Sequence, residues 1–274
     1  MKKKIFALSM AALLLAMVAV GGTIAYFTAE DSAVNTMTLG SVSIEQLEYE
    51  RVVEDGAWVA GDNGDDLLQE FTQDKPLYPV YYADGVIKYD DRTQGHTQSF
   101  EQVGAEGSVY LFDDSVKGAV DKMVLVENTG KSDAYVRTLV AFEYGSFDQT
   151  KTFLGINFGS TDWEVGADVF AEIDGNTYEV VEFIYKADGG ILASGEVTNT
   201  PSLLQLYMRP DATNETVEAI DGNDNGLYDV LVLSQACQVA GFEGAGADTA
   251  LDTAFGDVTA ANAKTWFEAI LPQD

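Results

Sequence analysis

The chain has 274 residues, a net charge of −30, and 46% hydrophobic and 11% aromatic side chains. So much apolar surface excludes a disordered acidic polymer. So much negative charge excludes a binder of nucleic acid or anionic lipid, since both repel a polyanion.

Export is the first reading. Lys2, Lys3 and Lys4 form a positive n-region, and Ile5 to Val20 is an apolar run broken only by Ser9. Gly21 and Gly22 end it, and Thr23-Ile24-Ala25 sets small residues at −3 and −1 of a signal-peptidase site, with Tyr26 opening the mature chain. The run is shorter than the roughly 20 residues that span a bilayer. Cleavage after Ala25 is expected, with an uncleaved anchor as the alternative. No twin-arginine pair is present, so the route is Sec-type. Losing residues 1–25 removes three lysines and no acid, which takes the charge to −33. The single cysteine, Cys237, allows no intramolecular disulfide. Its apolar surroundings, Leu231 to Ala236, predict a buried, inert thiol. Stability must then come from the core, from bound ions or from assembly.

Along the mature chain, Met37 and Leu39 form an apolar pair of one parity, while Val42 and Ile44 alternate with Ser41, Ser43 and Glu45 on the other. The parity change at Gly40 predicts a bulge or break. Residues 54–118, with acidic clusters at 62–66 and 90–91, predict a long decorated loop carrying short strands. A hairpin is expected next: Met123 to Val126, turn residues from Asn128 to Asp133, then Tyr135 to Phe142. Asp174-Gly175 predicts a two-residue turn between strands at 169–173 and 177–185. Further strands are expected at Leu203 to Met208 and Val230 to Ala236. The period changes near the C-terminus, where Ala263, Trp266, Phe267 and Ile270 fit an amphipathic helix capped by Asp257 or Thr259. Short, often interrupted strands point to an all-β sandwich or jelly roll. The organisation is a signal peptide over 1–25, a separate strand over 26–40, and one domain over 41–274. The chain ends without a sortase pentapeptide or an apolar tail, so wall anchoring is not expected.

Two stretches resemble the TasA/camelysin family of exported Gram-positive surface and biofilm proteins. One is Gly21-Gly22-Thr23-Ile24-Ala25-Tyr26-Phe27-Thr28, continuing through Asn35 to Ile44. It is similar to the family's junction of glycine pair, cleavage site, aromatic residue and first strand. The other, Val126 to Arg137, is similar to the family's Asn-x-Gly turn between strands. The resemblance implies a jelly-roll-like domain, processing by a SipW-type signal peptidase, and a secreted place in the matrix or on the cell surface. It also implies fibres in which the freed N-terminal strand of one subunit fills a groove in the next, a form of donor-strand addition. Val34, Met37 and Leu39 are the side chains such a strand offers; the alternative is that 26–40 pairs within its own domain. After cleavage no membrane association is expected.

Catalysis finds little support. Camelysins have been described as metalloproteases, yet the one histidine, His96, cannot complete a His-Glu-x-x-His site or a triad with Gly-x-Ser-x-Gly. No carboxylate pair stands out as a glycosidase dyad among so many acids. The rival to a structural subunit is a monomeric surface module for glycan or calcium. Asp221, Asn223, Asn225 and Asp229 fall where an EF-hand loop places oxygen ligands for Ca²⁺, with Gly226 at the sharp turn. Val232, however, stands where the bidentate glutamate belongs, and no flanking helix is signalled.

Overall fold

A computed structural model describes residues 28–31, 42–54, 57–59, 67–71, 80–83, 86–91, 96–101, 119–208, 212–223 and 228–271. In chain order its strands are β1 (Thr28–Asp31), β2 (Ile44–Arg51), β3 (Val53–Glu54), β4 (Ala57–Trp58), β5 (Leu68–Glu70), β6 (Val80–Ala83), β7 (Val86–Asp91) and β8 (His96–Glu101). Then come β9 (Ala119–Asn128), β10 (Ala134–Glu143), β11 (Leu154–Asn157), β12 (Trp163–Ile173), β13 (Asn176–Tyr185), β14 (Leu203–Met208) and β15 (Val230–Gln238). The α-helices are α1 (Asn214–Ile220), α2 (Ala247–Phe255) and α3 (Ala260–Ile270). Two five-stranded antiparallel sheets, ordered β1-β15-β10-β13-β12 and β11-β14-β9-β2-β5, pack as a sandwich. Val42, Ile44, Val124, Val136, Phe142, Trp163 and Phe183 meet between them. Within the stretch expected as a decorated loop, β6, β7 and β8 form their own antiparallel sheet.

The Asp174-Gly175 turn is as read: Ile173 pairs with Asn176, and both turn residues have positive φ, 49° and 81°. A two-residue turn with that twist matches the twist of its strands. The expected β9–β10 hairpin is not there. β9 pairs with β2 and β14 in one sheet, β10 with β13 and β15 in the other, so residues 129–133 cross between sheets. Asn128 builds the crossing: its amide nitrogen donates to the carbonyls of Ser132 (2.9 Å) and Leu192 (3.0 Å), and its oxygen accepts from Gly130 N–H (3.0 Å). Turn chemistry is satisfied locally either way. The choice is made by burial, because β10 is buried at all ten positions and must have cover on both faces.

One face of β10 meets the other sheet; α2 and α3 cover the opposite face. Leu139, Ala141, Val180 and Leu233 pack with Val258, Ala263 and Phe267, and Tyr135, Ile184 and Cys237 with Ala250 and Leu251. The α3 stripe is as expected, with Thr259 as its cap: the hydroxyl accepts from Asn262 N–H at 3.2 Å. Helix α2 was not anticipated, because Ala, Thr and Asp dominate it and its apolar face is short.

Arg137 lies between this helical layer and the sheet, fully buried. Its guanidinium donates to Gln235 Oε1 (2.8 Å), Glu182 Oε1 (3.0 Å), Asp252 Oδ1 (3.1 Å) and the Gly256 carbonyl (3.1 Å). The rings of Phe255 and Trp266 flank it, 5.7 and 5.1 Å from its central carbon. Glu182 also serves the bulge in β12, where its other oxygen accepts from Ala167 N–H at 3.0 Å. Any Cβ on Gly166 would stand 2.4 Å from that carboxylate, which accounts for glycine there.

Arg137→Ala strands two carboxylates under the helices and should cost about 3 to 5 kcal/mol in urea unfolding. It should also make the Cys237 thiol reactive to a disulfide reagent under native conditions. Arg137→Met strands the same two carboxylates but fills the space, so it should recover only the packing part of that loss.

Candidate functional site

Two places follow from the sequence reading, the N-terminal edge and the acidic turn at 221–229. At the first, β1 is the outermost strand of its sheet, antiparallel to β15, with Thr28 opposite Cys237, Ala29 opposite Ala236, Glu30 opposite Gln235 and Asp31 opposite Ser234. Part of the predicted assembly segment thus forms the sheet edge of its own chain. Ala25, Tyr26, Val34, Met37, Leu39 and Gly40 lie outside the described residues. Val42 and Ile44, by contrast, are buried as their alternation requires, and Glu45 is exposed.

Next to that edge the two sheets touch through polar groups. Ser234 of β15 donates its hydroxyl to Gln46 Oε1 of β2 at 2.8 Å, with Thr138 Oγ1 at 3.2 Å from the Ser234 oxygen. Gln46 in turn donates to Glu48 (2.9 Å), whose second oxygen is 2.5 Å from the Lys122 ammonium; that ammonium lies 4.3 Å above the Phe71 ring. Sequence reasoning missed this column. Its signal was a polar residue at an inward position of an otherwise apolar run, Ser234 between Val232 and Ala236. Chemically, the edge offers main-chain N–H and C=O groups for a strand, and beneath them hydroxyl and amide groups that favour one register over its neighbours.

At the second place, Asn223 donates its amide to Asp229 Oδ2 at 2.8 Å, so these two predicted calcium ligands do meet. Asn225 lies outside the described residues. A helix does precede the turn, contrary to expectation: α1 ends at Ile220 and is started by a capping box between Thr213 and Thr216. The Thr213-x-x-Thr216 spacing was its one sequence signal. The floor of the turn is the buried Glu143. Its oxygens accept from Gly222 N–H (2.9 Å), Asp229 N–H (3.1 Å) and the Asn176 amide (2.5 Å). Burial raises the Glu143 carboxyl above its usual range, against the pull of those donors. Among the described residues no group of three or more His, Cys, Asp or Glu side chains is arranged to hold a metal ion.

Cys237 is fully buried, and burial pushes its thiol up to about 12, so it is no nucleophile at neutral pH. His96 opens β8.

Compared with protein-family models, curated proteins and solved structures, the chain matches none of them.

Glu143→Ala leaves the Gly222 and Asp229 N–H groups without their acceptor. The expected loss is about 1 to 3 kcal/mol, read as a lower melting temperature. Limited proteolysis should then cut within 221–229 faster than in the parent chain.

Proposed function

We propose that this protein is an exported structural subunit of TasA/camelysin type, with a jelly-roll-like domain, which polymerises into surface or matrix fibres by N-terminal strand addition. The observation that carries this reading is the place of β1. The segment that directly follows the expected cleavage site is held at a sheet edge by pairing with a single neighbour, β15. A strand held on one side by main-chain bonds is exchangeable for the same strand of another copy, because the bonds broken and formed are identical. In the isolated chain β1 then occupies the acceptor edge, and in a fibre the preceding subunit supplies it.

Charge sets the conditions. The buried cations Arg51, Lys122 and Arg137 are committed to Asp121, Glu48 and Glu182. They therefore offset little of the surface, and subunits of −33 repel one another until screened. Assembly should accelerate with salt, millimolar Ca²⁺ or mild acid; equal rates in low-salt chelator and in Ca²⁺ would refute that dependence.

The direct test compares chains starting at Tyr26 and at Gly40 by negative-stain microscopy and size-exclusion chromatography, with circular dichroism to verify folding. Fibres from the first and folded monomers from the second are expected. If both stay monomeric across salt, calcium and acid, strand addition is wrong and a monomeric surface-binding module takes its place.

A further inference from the structure

Glu179 occupies a position that ordinarily belongs to an apolar residue. On β13 it shares parity with Val181, Phe183 and Tyr185, which point into the core between the sheets, while Tyr178 and Val180 point toward α3. Its register partners on either side are Phe142 and Phe170. Asp168 of β12 is opposite Val181, one diagonal step away on the same face, a spacing that side chains of this length bridge.

Around the pair stands an aromatic wall. The Tyr144 ring is 4.9 Å from Phe170 and 5.1 Å from Phe153, and Phe153 is 5.9 Å from Tyr228. The Tyr144 hydroxyl donates to the Lys151 carbonyl, while the Tyr228 hydroxyl is buried with no hydrogen-bond partner among the described residues. The charged groups that bear on this cluster are all acidic: Asp168 on Glu179, Asp148 on Tyr144, and Glu143 on Tyr228. The ammonium of Lys151 is turned to Asp148 at 3.6 Å, on an exposed side chain. Among the described residues no cation faces the Glu179–Asp168 pair.

We propose that the Glu179 carboxyl, set on the core face with the like charge of Asp168 on the neighbouring strand, is a protonation switch whose occupancy tightens or loosens this end of the sandwich. With both carboxylates ionised, the half-buried Glu179 charge sits between the Phe142 and Phe170 positions and feels the like charge of Asp168, which is exposed on the edge strand. One proton from solvent on Glu179 removes the repulsion and the cost of holding a charge among apolar neighbours. Burial first, and the Asp168 charge second, push the Glu179 carboxyl up to about 7. Because the folded value lies above the unfolded one, the native state binds the extra proton. Stability therefore rises as pH falls through the folded value and is lost as pH climbs past it. This device is a property of the single subunit and does not depend on fibre formation.

The experiment is a carbon-13 NMR titration of the Glu179 carboxyl in the mature chain, beside melting curves from about pH 8 down to about pH 5. Parent, Glu179→Gln and Asp168→Asn chains are compared. A Glu179 midpoint near neutrality is expected, with a melting temperature that climbs on acidification. Glu179→Gln should flatten that climb and melt above the parent at the alkaline end, and Asp168→Asn should lower the Glu179 midpoint. Should Glu179 titrate in the ordinary carboxylate range, or Glu179→Gln keep the parent's pH slope, the proposal is wrong. If the variants do not fold, the titration of the parent chain decides alone. Because it is read on monomers, its failure is separate from any failure of the fibre reading.

Discussion

All ten side chains of β10 are buried, and that strand dictates what must lie on each side of it. One face takes the second sheet. The other cannot be left to water, since Leu139 and Ala141 would be exposed beside Val180 and Leu233, so the C-terminal helices close over it. Arg137 stands in the middle of that second face. A guanidinium with neither water nor carboxylates would cost several kcal/mol. Glu182, Gln235, Asp252 and two aromatic rings meet it instead, and the same Glu182 holds the β12 bulge in place. Helical layer, central strand and edge bulge are thus parts of one network.

The chain resolves the lack of a disulfide in a consistent way. Among the described residues three cations are placed inside, each on a specific acid: Arg51 on Asp121, Lys122 on Glu48, Arg137 on Glu182. Such pairs add less net stability than an apolar core of equal volume, but they penalise misplacement of any strand that carries one partner. Arg51 and Asp121 tie β2 to β9, with Gln205 of β14 added at 2.8 Å, so three neighbouring strands of one sheet are held in register. The net charge of −30 therefore falls mainly on the surface, where like charges on neighbouring molecules repel unless screened.

Structure and the proposed role meet at the sheet edges. An antiparallel edge exposes unpaired main-chain groups, a liability that proteins cover or use. At one end of the first sheet β1 covers β15; at the other, the bulge, Glu164 and Asp168 interrupt β12. One edge is thus a short regular strand and the opposite one is broken by charge and irregularity. Beside the β1 edge, the Ser234–Gln46 contact gives the sandwich a polar feature that apolar alternation alone would lack.

Local chemistry was legible wherever it decided the outcome. The Asp174-Gly175 hairpin, the α3 stripe with its Thr259 cap, the buried Val42 and Ile44 and the inert Cys237 depend on neighbours a few residues away, and each was readable from spacing. Partner choice was not. Residues 128–133 carry hairpin chemistry, yet the chain crosses between sheets there, because the two-sided burial of β10 outweighs a turn that either path satisfies. Asn223 and Asp229 were readable as residues of one turn; the Glu143 floor beneath them, from a strand nearly eighty residues earlier, was not. By itself the sequence determined an acidic, cysteine-poor β protein with an amphipathic helix after its strands, since charge, period and turn residues act over short range. Only the tertiary structure decided which strands share a sheet, where the buried charges find partners, and that Glu179 faces aromatic rings, since those depend on faces brought together from distant parts of the chain.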